Sequence, residues 1–269
     1  MSEAAPASDA RYSVHSLELG LRVLECFDRN ARDALNLSEI ARHIGISRSS
    51  AFRLVHTLER LGYLAREDET KSYRLGARVM LLGHAFLASK DIAELARPEL
   101  RRLRAATRCS THLGILDGPD VLYIARYAAH EPVGSLIAVG ARLPAHATTM
   151  GRMLLAYKPA AYVEEHFAGA LAKVTEHTPA TLAELQAVLD EDRVRGYAIS
   201  HSNFESGIAS IAAPVFDASD EVVAAINVSI PEAAIDDRFD TSVRDAVCQA
   251  ARTISQLAGQ RARVRASWT

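Results

Sequence analysis

The chain has 269 residues, 49% of them hydrophobic and 24% charged, with 31 Lys or Arg against 33 Asp or Glu and a formal net charge of −2. Length and mixture point to two folded domains rather than a disordered polymer, and the near-neutral balance excludes a protein that coats DNA by bulk charge. Cys26, Cys109 and Cys248 lie far apart with no Cys-x-x-Cys pair, and no apolar run reaches the roughly 18 residues of a membrane span. Reduced, packed thiols, no metal site and no cofactor are therefore expected. The polar stretch Met1 to Tyr12 lacks the apolar core of a signal peptide, so a cytoplasmic protein without a membrane partner is expected.

Residues 1–11 are read as a disordered tail and 12–75 as a self-contained unit. Ser16 is placed to cap a first helix with Leu17, Leu21, Leu24 and Phe27 on one side. Ser38 is placed to cap a second, whose Leu37, Ile40, Ala41 and Ile44 follow the i, i+3, i+4, i+7 spacing of one buried face. Gly45 permits a sharp reversal, after which Ser47 can cap a third helix with Ala51, Leu54, Val55, Leu58 and Leu61 inward. Two short amphipathic helices meeting across such a turn have helix-turn-helix geometry.

At about 100° per residue, Ser49, Phe52, Arg53 and His56 point away from that inner stripe, with Arg48 and Ser50 at the leading end. Such a face suits a major groove: Arg pairs bidentately with guanine, Ser bonds bases or phosphates, and an outward Phe touches a thymine methyl. Beyond Gly62, residues 63–66 and 72–75 flank the polar tip 67–71 and predict a β-hairpin wing that adds Lys71 and Arg74. Residues 42–78 hold eight Arg or Lys against four acids, so basic charge is concentrated where groove binding needs it. The candidate contacts to double-stranded DNA are Ser47, Arg48, Ser49, Ser50, Phe52, Arg53, His56, Lys71 and Arg74. The alternative is a pair of ordinary surface helices with a solvated charged face.

Residues 76–90 predict a linker helix whose Val79, Leu82, Phe86 and Leu87 carry too much apolar surface to stand alone. Packing against a second chain, and hence a dimer, is expected. From residue 91 to 260 the pattern becomes mixed. Pro98 is expected to open a helix through Thr107, and strands are expected at Thr111–Leu116, Val121–Tyr127 and Ser135–Val139, the first two joined at Asp117-Gly-Pro-Asp120. Helices near 149–157, 159–167 and 181–195 precede strands at Tyr197–His201, Ile208–Phe216 and Val222–Ile230, and a helix from Asp240 to Ala258 closes the unit before a frayed tail, 261–269. Hairpin strands with flanking helices make an α+β, antiparallel domain.

Within it, Thr148 and several free N–H groups gather where a helix begins after Leu143-Pro-Ala-His146, a place that attracts a carboxylate. Thr148 as a helix cap and nothing more is the plainer reading. An enzyme must also be weighed, since Ser, His and Asp are abundant and Cys109-Ser-Thr-His112 could suggest a thiol nucleophile. No Gly-x-Ser-x-Gly elbow, phosphate loop or metal-binding helix accompanies them, and no enzymatic activity is expected. A structural DNA-binding protein without a ligand leaves the long second domain unexplained.

Several segments resemble the isocitrate-lyase-regulator (IclR) family of bacterial transcription factors nearly end to end. They include Ser16-Leu-Glu-Leu-Gly-Leu-Arg-Val-Leu24, Leu-Glu-Arg-Leu-Gly-Tyr63 and Tyr-Arg-Leu-Gly76. In the second domain they are Arg142-Leu-Pro-Ala-His-Ala-Thr-Thr-Met-Gly-Arg-Met-Leu-Leu-Ala156, Arg195-Gly-Tyr-Ala198, the run Glu205–Phe216 and Ala224-Ala-Ile-Asn-Val-Ser229. The resemblance implies a winged helix-turn-helix, a linker helix and a GAF-like effector domain, working as a homodimer or dimer of dimers. It places a small-organic-acid site on Leu143, Thr149, Met150, Ser200, Ile208, Ser210, Asn227 and Ser229, to which Thr148, His146 and His201 are added as candidates. The chain most resembles the branch that regulates aromatic-acid catabolism of the protocatechuate and 4-hydroxybenzoate type. Glyoxylate- and pyruvate-responsive members commonly carry an acidic residue where Ser200-His201 stands, and a small residue where Thr149-Met150 stands. The bulkier wall here suits a ring.

Overall fold

Two units, residues 1–89 and 90–269, are built around separate cores in the computed structural model, which describes residues 13–27, 34–88, 91–129, 137–236 and 239–260. Both expected terminal tails lie outside the described residues.

The first unit contains α1 (His15–Glu25), β1 (Leu35–Asn36), α2 (Leu37–Ile44), α3 (Arg48–Arg60), β2 (Leu64–Glu67), β3 (Ser72–Leu75) and α4 (Arg78–Ala88). Helix α1 buries Leu19 and Val23, with Cys26 and Phe27 just beyond; Leu17 and Leu21 are exposed, so the face expected from the Leu17 phase is corrected by about a third of a turn. Val14, without a side-chain bond, occupies the cap position expected for Ser16. The cap of α2 is Asn36 rather than Ser38. Its Oδ1 accepts from the Ser38 and Glu39 amides (3.0 and 3.1 Å) while the Glu39 carboxylate accepts from the Asn36 amide at 2.8 Å, a reciprocal capping box. Ser47 caps α3, its Oγ accepting from the Ser50 amide.

Between α2 and α3 the chain reverses at Gly45, whose φ of 73° is the left-handed conformation open to glycine. Ile40, Ile44 and Val55 meet Val23, Leu35, Leu64 and Tyr73 in one core, with Leu54 and Leu58 packed at its edge; Leu61, at the end of α3, turns out to solvent. The wing is a three-stranded antiparallel sheet in the order β1-β3-β2, to which the unpredicted β1 adds the pairs Leu35↔Tyr73 and Asn36↔Ser72. Its base closes tightly: a Cβ on Gly76 would sit 2.2 Å from the Gly62 carbonyl oxygen. In α4, Met80, Leu81 and Leu82 are 77, 64 and 56% exposed, and Val79 is half-buried. The side chains of Phe86 and Leu87 lie outside the described residues.

The second unit runs α5 (Asp91–Thr107), β4 (Ser110–Asp117), β5 (Asp120–Tyr127), β6 (Arg142–Pro144), α6 (Thr149–Ala156), α7 (Ala160–Phe167), α8 (Leu182–Arg195), β7 (Ala198–His201), β8 (Ile208–Phe216), β9 (Val222–Pro231) and α9 (Arg244–Leu257). A turn of π-helix, Phe239–Val243, leads into α9. Pro98 sits inside α5 rather than at its start; Ala96 on one side and Leu100 and Leu103 on the other are all buried, and that packing carries the helix through the proline. The strand expected at 135–139 is not formed at 137–139, and 135–136 lie outside the described residues. The edge strand is instead β6, paired with β5 through Val121↔Leu143.

Six strands in the order β6-β5-β4-β9-β8-β7, all antiparallel, form the sheet. Side chains alternate between its two faces except where the register shifts at Leu113/Gly114 and Val215/Phe216. One takes α5 and α9: Thr111 Oγ1 donates to the Leu100 carbonyl at 3.1 Å, and Ser255 Oγ accepts from the Phe216 amide at 2.9 Å. Helix α6 covers part of the other and α8 packs on α6, so that Met150, Met153, Leu154 and Leu155 share a core with Leu185, Leu189 and the small Ala198, Ala212 and Ala225. A buried ion pair ties them together. Arg152 Nε donates to Asp192 Oδ2 at 2.8 Å, and its Nη2 reaches Asp192 Oδ1 and the Ile199 carbonyl. Burial outweighs the pull of Arg152 and holds the Asp192 carboxyl above the usual carboxylate range.

Candidate functional site

On the first unit, Ser47, Arg48, Ser49, Ser50, Phe52, Arg53 and His56 are all exposed along the leading end and outer face of α3. Ser47 Oγ bonds the hydroxyls of Ser49 (3.0 Å) and Ser50 (2.9 Å), which gathers three hydroxyls at the helix start. Phe52, half exposed, stacks on His56 with ring centres 6.0 Å apart and planes within 13°. Among the described residues neither Arg48 nor Arg53 enters an ion pair, so both guanidinium groups remain available for phosphates or guanine edges. At the wing tip Lys71 takes a left-handed φ of 50°, and Arg74 lies 3.9 Å from Glu67 across the hairpin.

On the second unit a cavity of about 60 Å³ opens over the part of the sheet that α6 leaves uncovered. Two rows of side chains make its floor. Cross-strand register sets Ser200 opposite Ser210, Ser210 opposite Ser229, and Ser229 opposite Ser110, a ladder of four hydroxyls on four adjacent strands. Two residues along, Asn227, His112 and Arg126 form the parallel row on β9, β4 and β5. Arg126 reaches this face through a β-bulge. The register steps from Leu113↔Ala125 to Gly114↔Tyr123, leaving Ile124 as the extra residue, so Tyr123 and Arg126 both line the cavity although simple alternation would oppose them. The walls come from Ala147, Thr148 and Thr149 at the start of α6, from Ile137, and from Phe204, Glu205 and Ile208.

The second row carries the basic groups of the cavity, and Glu205 stands in its wall. Asn227 Oδ1 lies 2.8 Å from His112 Nδ1. Burial pushes the His112 ring down to about 4, with Arg126 as the charge that lowers it further, so the ring is neutral near pH 7. The Arg126 Nε is buried and has no hydrogen-bond partner among the described residues. A shielded cationic donor beside neutral hydroxyl, amide and imidazole groups suits a small anion. Burial also raises the Tyr123 phenol, which stays protonated.

The structure gathers Thr148, Thr149, Ser200, Ile208, Ser210, Asn227 and Ser229 around this cavity. Thr148 both caps α6, accepting from the Gly151 amide at 3.1 Å, and faces the cavity; Thr149 Oγ1 bonds Ser210 Oγ at 3.0 Å. The other four candidates do not line it. Met150, one residue past Thr149, turns into the core under α6. Leu143 on β6 packs against the same core. His146 is held elsewhere by a bond from its Nε2 to the Ala172 carbonyl (2.9 Å) and by the edge of Phe167. His201, one residue out of phase with Ser200, is half exposed and lies 3.7 Å from Glu232. Ser110, His112, Tyr123, Arg126 and Phe204 were missed. Ser110 and His112 alternate as Asn227 and Ser229 do, which was the available signal; the bulge hid Arg126.

A winged helix-turn-helix with an open recognition face, joined to a second unit with its own polar cavity, defines a ligand-responsive DNA-binding transcriptional regulator. Family models agree. The IclR helix-turn-helix domain matches residues 16–68, and the bacterial transcriptional regulator IclR C-terminal model matches 84–256. The chain is 32% identical to the HTH-type transcriptional regulator XynR of Escherichia coli over 91% of its length and 98% of that protein's. It is 37% identical to the Pca regulon regulatory protein of Pseudomonas putida, covering 80% of this chain and 73% of that one. A solved IclR homologue from Microbacterium hydrocarbonoxydans complexed with 4-hydroxybenzoate superposes with a TM-score of 0.79 at 28% identity, over 90% of this chain and 98% of the other. The chain belongs to the IclR family.

Proposed function

We propose that the regulator reads double-stranded operator DNA with Ser47, Arg48, Ser49, Ser50, Phe52, Arg53 and His56 of α3, together with Lys71 and Arg74 of the wing, and that a small carboxylic acid in the cavity sets its DNA affinity. Residues 12–75 serve as the DNA-binding domain, 76–90 as a linker that pairs two copies through Met80, Leu81 and Leu82, and 91–260 as the sensor. The observation that carries the ligand reading is Arg126, a cation brought by a bulge into a cavity otherwise floored by serines, Asn227 and a neutral His112. By binding two states of the sensor unequally, the acid shifts their balance and hence the affinity for DNA.

A ring acid is the favoured effector: a similar protein regulates a Pca regulon, and a similar structure holds 4-hydroxybenzoate. A small aliphatic acid such as glyoxylate or pyruvate is the second reading, because the polar floor of serines, Asn227, His112 and Arg126 offers partners for a carboxylate and its neighbouring carbonyl without requiring a ring. Thermal-shift titration against 4-hydroxybenzoate, protocatechuate, benzoate, shikimate, glyoxylate and pyruvate separates them. A ligand at about 100 times its Kd stabilises the folded chain by about 2.7 kcal/mol. Shifts with the ring acids support the first reading, shifts confined to glyoxylate or pyruvate the second, and silence from all six counts against an acid sensor.

A further inference from the structure

The Asn227–His112 pair does more than line the cavity. An amide oxygen only accepts, so the 2.8 Å contact between Asn227 Oδ1 and His112 Nδ1 requires the hydrogen on Nδ1. In a neutral ring the other nitrogen, Nε2, is then a bare acceptor. Among the described residues nothing donates to it, and His112 itself is almost wholly buried on the cavity floor. Tyr123 meets the ring edge-on, with centres 5.6 Å apart, which fixes its plane and therefore the direction of the lone pair. Directly across the β4–β5 ladder stands Arg126, whose Nε can only donate. The floor thus offers one oriented acceptor beside one cationic donor, on neighbouring strands whose facing Cβ atoms are typically about 5 Å apart.

We infer that this regulator selects hydroxy acids: Arg126 takes the carboxylate, and His112, held in one tautomer by Asn227, accepts a hydrogen bond from the ligand's hydroxyl. The inference rests on the acid-sensing reading and adds a requirement to it. An acid without the hydroxyl leaves Nε2, the ring nitrogen that Asn227 does not hold, without a ligand partner, and a site built to bond a hydroxyl rejects the analogue lacking it more strongly than an apolar pocket does. Burial supports the arrangement by keeping the ring unprotonated near pH 7. Asn227 is then a positioning residue, acting on the ligand through the ring it orients.

Calorimetric titration of the full-length protein at pH 7.5 with two matched pairs, 4-hydroxybenzoate against benzoate and lactate against propionate, tests this. In whichever pair binds, the hydroxylated acid is expected to bind at least tenfold more tightly. His112→Phe keeps an aromatic ring but removes the acceptor, and it should reduce that preference to under threefold; Arg126→Gln should weaken both members of the pair by similar factors. If His112→Phe does not fold, His112→Leu, which also lacks the acceptor, serves instead. Asn227→Asp, whose carboxylate still accepts from Nδ1–H, should keep the preference, and Asn227→Leu, which accepts nothing, should reduce it. Equal binding of the matched acids by the wild type, or a preference that survives the His112 substitutions, overturns hydroxyl selection while leaving acid sensing intact. Failure of all four acids to bind overturns both.

Discussion

His112 links the cavity to the stability of the sensor. In the fold its pKa is pushed down to about 4, against 6.5 for an ordinary histidine, so below pH 6.5 the unfolded chain binds the extra proton and the folded chain resists it. Stability from this residue is complete above about pH 6.5 and is lost as pH falls toward 4, by about 3 kcal/mol in all. Urea denaturation from pH 7 to 4.5 should show that slope, and His112→Gln should flatten it; an unchanged slope would assign the acid sensitivity elsewhere. A second residue-scale prediction concerns Arg152. Removing it strands the buried Asp192 carboxylate, so Arg152→Ala should cost about 3–5 kcal/mol by urea denaturation, and Arg152→Met with Asp192→Leu should recover much of that loss. At this scale the sequence was legible wherever strand alternation held. Asn227 and Ser229 share a face as expected, and Ser200 and Ser210 join them by register. Arg126 was hidden because one extra residue, Ile124, reverses the alternation. His146 and Met150 misled for a different reason: the segment entering α6 turns tightly, so neighbours in sequence point to different surroundings.

Among the elements, α3 and the wing should divide the work on DNA. Arg53→Ala, on the exposed outer face of α3, should lower affinity for a selected duplex by tenfold or more. Lys71→Ala, at the wing tip, should weaken binding evenly across sequences and reduce the slope of log affinity against log salt by about one. Anisotropy titrations at several salt concentrations distinguish the two, and identical salt slopes for wild type and Lys71→Ala would remove the wing from the interface. Helix α6 poses the complementary test. A Cβ at Gly151 would lie 2.1 Å from the Ala145 carbonyl oxygen, so Gly151→Ala should push the start of the helix off the loop that precedes it. The expected result is a lowered melting temperature together with weakened acid binding, because Thr148 and Thr149 move with that helix start. Most elements were legible from spacing, turn residues and caps. The exceptions were local contests that tertiary contacts decided: Asn36 outcompeted Ser38 because it also frees β1 to pair with β3, buried neighbours carried α5 through Pro98, and the short edge strand β6 left no long alternating pattern to find.

For the whole molecule, the exposed Met80, Leu81 and Leu82 of α4 carry the expectation of a paired chain. Leu82→Glu should shift sedimentation toward the monomer and weaken DNA binding in parallel, since a two-fold site is read by two recognition helices. Sedimentation unchanged by that substitution would place the interface elsewhere. The central claim is that occupancy of the cavity in one unit controls DNA affinity in the other. The most direct measurement is the anisotropy of a duplex selected from a random pool on the wild-type protein, titrated with and without saturating 4-hydroxybenzoate or, if that acid gives no thermal shift, pyruvate. The account predicts a change in DNA affinity of roughly 5- to 150-fold, in either direction, that Arg126→Gln abolishes at the same acid concentration. An acid that binds the wild type, as shown by its thermal shift, and leaves DNA affinity unchanged would contradict it.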